Sequence, residues 1–143
     1  MSGTKTIKGI QYLIIRKKTV ALADLESAAH WLNRDVGMGQ DINLVDAAPP
    51  VTQMTITWFD YTKAAELEED QEHSVSYAWS SGTGELQRNY DGLITIVGVR
   101  LANVEFSLND ASVTITLASF IDEKSGSTVT RTYKILMRGD TGF

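Results

Sequence analysis

The chain has 143 residues, enough for one domain around a single core, and its 43% hydrophobic and 22% charged residues are those of a folded chain rather than a disordered one. A formal net charge of −5 argues against a duplex-binding surface, which needs an excess of Lys and Arg. The absence of cysteine excludes disulfides and thiolate metal sites, and no apolar run approaches the roughly 20 residues that a membrane helix needs.

Met1 to Lys5 carries no apolar segment or cleavage site, so no secretory leader is expected. Thr6 to Ile15 is rich in Ile, Tyr and Leu and predicts a first strand. Arg16-Lys17-Lys18 then reads as a basic turn and Thr19 to Leu22 as the returning strand. At Asp24 the period changes. Leu25, Ala28, Ala29 and Leu32 fall on one helical face, which predicts a short helix from Asp24 to Arg34 with Asp24 as its N-cap. A strand from Thr19 to Glu26 is the competing reading. Asp35 to Pro50 has no period and holds Gly37, Gly39 and Pro49-Pro50, so a long loop is expected. It carries Val36, Met38, Ile42, Leu44 and Val45, too many apolar groups for a free loop. These five either cover their own core or meet a neighbouring subunit.

From Val51 the alternation is plain. Met54, Ile56 and Trp58 share one face, and Asp60 is placed to cap a helix through Tyr61, Ala64, Ala65 and Glu68. Val75, Tyr77 and Trp79 alternate with serines, Ser80 to Gly84 is a hairpin tip, and Leu86, Arg88 and Tyr90 return from it. Asp91-Gly92 turns the chain into Leu93 to Val99, whose near-continuous apolar run predicts a strand buried on both faces. Val104, Phe106 and Leu108, a turn at Asn109-Asp110, and Val113, Ile115 and Leu117 form the next hairpin. A polar loop from Asp122 to Ser127 leads to a last strand with Val129, Tyr133, Ile135 and Met137 on one side. The expected fold is mainly β, an antiparallel barrel or sandwich with one or two short flanking helices.

The sequence carries little chemistry. Glu66, Glu68, Glu69, Asp70 and Glu72 form the densest charge cluster, but no spaced ligand loop accompanies them, so a solvated helix face is the plainer reading and no metal is expected. Carboxylates lining a pore would also keep DNA phosphates from adhering. His30 and His73 have no Gly-x-Ser-x-Gly nucleophile elbow beside them, no phosphate-cradling glycine motif occurs, and neither catalysis nor a cofactor is expected. His73 with a carboxylate remains the hydrolase alternative. Arg138-Gly139-Asp140 reads as a turn ending the last strand rather than an adhesion motif. Trp58, Trp79, Tyr77, Tyr90 and Tyr133 suit core packing by their parity; exposed, Trp58 or Trp79 would suit a carbohydrate- or peptide-binding module.

The order of elements from Val51 to Ile121, with Val75-Ser76-Tyr77-Ala78-Trp79, Tyr90-Asp91-Gly92-Leu93-Ile94-Thr95 and Val113-Thr114-Ile115-Thr116-Leu117, resembles the tail-tube and baseplate-hub proteins of tailed bacteriophages and the tubes of contractile injection systems. The resemblance covers about half the chain and rests on pattern rather than on a diagnostic motif. It implies a small β-barrel whose copies form hexameric rings. The rings stack into a tube, and DNA is a transiting cargo. It further implies a virion protein, made in the host cytoplasm, whose partners are copies of itself and other tail proteins, and whose Asp35 to Pro50 loop contacts the adjacent ring. The helix at Asp24 to Arg34 departs from that pattern and leaves open a hub or capsid-decorating role.

Overall fold

The computed structural model describes residues 2–59 and 72–137, with side-chain surroundings from Arg16 onward. The helix expected behind Asp60, the acidic residues Glu66, Glu68, Glu69 and Asp70, and the Arg138-Gly139-Asp140 turn lie outside the described residues.

The first half of the chain overturns the strand reading. Ser2–Met38 is one helix, α1, of 37 residues. The expected strand at Thr6 to Ile15, the basic turn at Arg16 to Lys18 and the returning strand at Thr19 to Leu22 are all turns of this helix. The physical reason is that a short apolar run does not fix its own period. Ile7, Ile10, Leu13 and Ile14 match a 3.6-residue repeat, and no proline interrupts residues 2–38. Asp24 is therefore interior to the helix and caps nothing. Its carboxylate instead accepts from Arg100 (Nη2 to Oδ2, 2.5 Å). Of the helical stripe expected from the sequence, Leu25, Ala28 and Leu32 are buried and Ala29 is half-buried beside them, and the buried stripe also takes in Ala21 and Val36.

Gly39 donates its N–H to the Val36 carbonyl and turns the chain out of α1. A Cβ at Gly39 would stand 2.5 Å from Ile56 Cγ2, so the close passage of the chain over the sheet requires glycine. The long loop is thus shortened at its start by α1 and interrupted by β1 (Asp41–Ile42). Seven further strands follow among the described residues, all in antiparallel pairs: β2 (Gln53–Phe59), β3 (Glu72–Ser80), β4 (Glu85–Tyr90), β5 (Leu93–Gly98), β6 (Leu101–Asn109), β7 (Ser112–Asp122) and β8 (Ser127–Leu136). The order is β1-β2-β3-β4-β5 in one sheet and β6-β7-β8 in the other. Among the described residues the two do not close into a barrel; the fold is mainly β, consistent with a sandwich, with α1 as the flanking helix.

Registers follow the hydrophobic parity. Met54 pairs with Tyr77, Ile56 with Val75, Phe106 with Ile115 and Val104 with Leu117, and all eight are buried. Asp91 and Gly92, both at positive φ, make the β4–β5 turn. The β6–β7 turn sits one residue later than expected. Asn109 pairs with Ser112, leaving Asp110-Ala111 as the loop. Helix α1 lies across β7 and β8 and reaches β5 of the other sheet. There Gly98 allows the approach, since a Cβ on it would stand 2.7 Å from Leu101 Cδ1 and 3.3 Å from Ala28 Cβ.

Gly98→Val is expected to lower the unfolding free energy by about 1–3 kcal/mol through overpacking. Gly37→Ala, in α1 with nothing near its added methyl, is expected to raise it by about 0.4–1 kcal/mol. Urea melts of both variants beside the parent chain check the pair.

Candidate functional site

Two regions stand out: a buried polar cluster under α1 and an open sheet edge. Asp35, on the last turns of α1, is 2% exposed. Its carboxylate takes both nitrogens of Arg88 on β4 (Nε at 2.6 Å, Nη2 at 3.1 Å) and the Tyr77 hydroxyl of β3. Arg88 also lies over the Trp31 ring at 4.7 Å and the Tyr90 ring at 5.2 Å. Burial, and next the Asp35 carboxylate, push the Tyr77 hydroxyl far above the usual tyrosine range. The hydrogen bond to Asp35 raises Arg88 as well. Both carboxylate oxygens already accept hydrogen bonds, and the carboxylate is buried away from a substrate. It fastens α1 to the five-stranded sheet.

Beside it, Tyr90 and His73 stack with centroids 6.0 Å apart, and Trp58 tilts against both. His73 Nδ1 lies 3.1 Å from Asp91 Oδ2. This is the base-and-carboxylate pair that a hydrolase would need. The hydroxyl against the ring is Tyr90, at 3.4 Å from the same Nδ1, where it cannot serve as a nucleophile activated through Nε2. Among the described residues, no group of three or more His, Asp or Glu side chains could hold a metal ion. The aromatic-platform reading loses its footing: Trp58 is buried, and Trp79 is half-buried with its indole N–H given to the Leu101 carbonyl at 3.2 Å.

The sheet edges differ sharply in how they are treated. At the β1 side, the two-residue β1 covers the middle of β2, and the side-chain oxygens of Asn43 and Gln40 accept the Thr55 and Phe59 N–H groups on either side of it. At β6, Val51 exchanges both backbone hydrogen bonds with Phe106, and Ala47 donates to Leu108. At β8, Arg131 and Lys134 are exposed charges. Charges and covering segments are the usual protections of a strand edge. Among the described residues, β5 has no such charge, and α1 covers only its Val97–Gly98 end. Among the described residues β4 is its only hydrogen-bonded neighbour, and no charge lies between Asp91 and Arg100. Leu93 is 69% exposed, Ile94 59% and Ile96 41%. The expectation of a strand buried on both faces is therefore wrong. Only Val97 and Gly98, beneath α1, are buried. Composition alone could not tell a central strand from an apolar edge, because the distinction lies in pairing.

Of the five residues considered for subunit contact, Val36 is buried in the chain's own core. Ile42 and Leu44 are half-buried against that core, and Met38 and Val45 are exposed. Glu72 is exposed at the start of β3. Sequence reasoning missed Leu93, Ile94 and Ile96 as surface groups and Asp35 as a buried one. The signal for the latter was an unmatched acid at i+3 from Leu32 on the apolar stripe. No protein-family model matches the chain, and no curated protein matches it at a significant level.

Arg88→Met strands the Asp35 carboxylate without its cation and is expected to cost about 3–5 kcal/mol. Asp35→Leu/Tyr77→Phe/Arg88→Met removes every polar partner together and is expected to recover most of that loss in the same denaturant melts.

The alkaline response follows from Tyr77. An unfolded tyrosine releases its proton near pH 10, whereas the folded Tyr77 keeps it. Its stabilising contribution is complete below that pH and is lost as pH rises beyond it. Tyr77→Phe is expected to flatten the fall in urea midpoint between about pH 9 and pH 11. An unchanged slope in the variant would contradict the assignment.

Proposed function

We propose that this chain is a self-assembling structural subunit, with the bare β5 edge as its main contact with a neighbouring copy. The observation that carries the reading is the contrast among edges: three are covered, capped or charged, and the fourth, among the described residues, has no strand paired outside it and is flanked by exposed Leu93, Ile94 and Ile96. An added strand there gains main-chain hydrogen bonds and buries apolar side chains on both faces of the sheet. β5 is at one side of the molecule's five-stranded sheet and has no equivalent opposite it. Contact between β5 and a different surface of the next copy is head-to-tail, and such contacts generate rings or filaments.

The assembly we propose is a phage tail tube, built of stacked hexameric rings around a DNA channel. The strand pattern from Val51 to Ile121 supports it. So does the acidic balance, since a wall of net negative charge would let DNA pass without adhering. In that assembly Met38 and Val45, exposed on the β2 side of the fold, are further contact residues.

Sedimentation velocity and negative-stain imaging of the full chain test this. Concentration-dependent oligomers with ring or tube shapes are expected. Ile94→Lys/Ile96→Lys is expected to weaken association by at least about tenfold while changing monomer stability by under about 0.5 kcal/mol, as exposed positions allow. A strictly monomeric parent chain at all concentrations would overturn the proposal.

A further inference from the structure

The tip of the β4–β5 hairpin holds a reactive bond under restraint. Asp91 is followed by Gly92, and no other Asp or Asn in the chain precedes a glycine. Glycine has no Cβ to shield its amide, so the Gly92 nitrogen can reach the carboxyl carbon of the residue before it. The chemistry is self-contained. The Gly92 nitrogen bonds to Asp91 Cγ, water leaves, and a cyclic succinimide forms. Water then reopens the ring. Opening at the α-carbonyl gives isoaspartate, in which the main chain runs through the side-chain carbonyl and the former α-carboxyl hangs free. One water is lost and one is gained, with no oxidant or co-reactant.

The folded turn directs both reacting groups elsewhere. The Asp91 carboxylate faces β3: Oδ2 lies 3.1 Å from His73 Nδ1, and Oδ1 accepts the Ser74 N–H at 3.3 Å. The Asp91 N–H in turn donates to the Ser74 carbonyl at 3.3 Å. The Gly92 N–H donates to Asn89 Oδ1 at 2.8 Å. A carboxylate held against β3 cannot swing over the peptide that follows it, and an amide bonded to Asn89 keeps the proton it must lose. The His73 ring is itself fixed, stacked on Tyr90 and tilted against the buried Trp58. Asp91 sits at φ 49°, a conformation a residue other than glycine keeps only when its surroundings impose it. Its side chain is 42% exposed, so water reaches it and the restraint comes from these hydrogen bonds rather than from burial.

We propose that Asp91–Gly92 is a latent isoaspartate site, and that His73 and Asn89 hold it back while the turn stays closed. Isoaspartate adds a methylene to the main chain inside the two-residue turn that Tyr90 and Leu93 close. The positive-φ geometry of that turn is then lost, and Leu93, Ile94 and Ile96 leave their places along the β5 edge. A copy whose turn stays open is thereby removed from assembly. This consequence deepens the self-assembly reading and rests on it; the reaction at Asp91 does not.

Full-length parent chain, His73→Phe, Asn89→Ala and Gly98→Val are stored at neutral pH, folded and in urea. The tryptic peptide spanning 89–100 is then assayed for isoaspartate by chromatography and main-chain fragmentation in the mass spectrometer. The folded parent is expected to react at least about tenfold more slowly than the unfolded chain. His73→Phe, which keeps a ring against Tyr90 and Trp58, and Asn89→Ala are each expected to raise the folded rate about threefold or more. Gly98→Val weakens packing under α1, away from the turn, and is expected to leave that rate unchanged. A folded parent as reactive as the unfolded chain would overturn the proposal, as would an unfolded chain that forms no isoaspartate. Equal acceleration by Gly98→Val would assign the protection to the fold as a whole and remove His73 and Asn89 from the role. For the consequence, refolded chain carrying isoaspartate is compared with unmodified chain in sedimentation velocity, and association weaker by about tenfold is expected. Equal association would detach the modification from the β5 edge. A parent chain that never associates would sink the self-assembly reading and this consequence together, whatever the peptide shows.

Discussion

The burial of Ala21, Leu25, Ala28, Leu32 and Val36 along one stripe of α1 is the contact on which both sheets depend. Each of the larger side chains contributes about 1.5–3 kcal/mol by leaving water. Their partners come from both layers: β7 and β8 on one side, β5 on the other. The isolated bridge from Val51 to Phe106 ties the loop before β2 to β6, and among the described residues β5 and β8 do not pair. A closed barrel would need those two strands joined. Helix α1 packs on β7, β8 and the Val97–Gly98 end of β5 instead, and Leu93, Ile94 and Ile96 stay exposed.

The buried Asp35–Arg88–Tyr77 cluster sets the position of that helix. Apolar contacts alone tolerate sliding; a bidentate ion pair does not. Arg88 is on β4, the strand that carries β5, so the same group that orients α1 also anchors the hairpin bearing Leu93, Ile94 and Ile96. A rigid edge is what ordered strand addition requires, because a mobile one would lose its gain to the entropy of being fixed.

Much of this fold was legible in the sequence. The strands from Gln53 onward declared their faces by alternation, and the two-residue turn at Asp91-Gly92 was readable from its chemistry. The stripe from Leu25 to Leu32 announced a helix. What failed did so for three physical reasons. Thr6 to Ile15 is apolar enough to satisfy either period, and its helix state follows from continuity with the stripe downstream. Leu93 to Val99 looked like a central strand because apolar content reports affinity for an apolar neighbour and not whether that neighbour belongs to the same chain. Asp35 was read as the start of a loop, when its partners lie 42 and 53 residues away at Tyr77 and Arg88.

The central claim is that β5 is a pairing edge for another copy. In a two-residue hairpin the closing pair, Tyr90 and Leu93, exchanges its hydrogen bonds, which turns the amides of Ile94 and Ile96 outward. Amide hydrogen exchange at these two residues, followed across protein concentration, reads the edge directly. The account predicts exchange that slows as concentration rises, with no matching change at the outer edge of β8. Equal exchange at Ile94 and Ile96 in dilute and concentrated samples would contradict it.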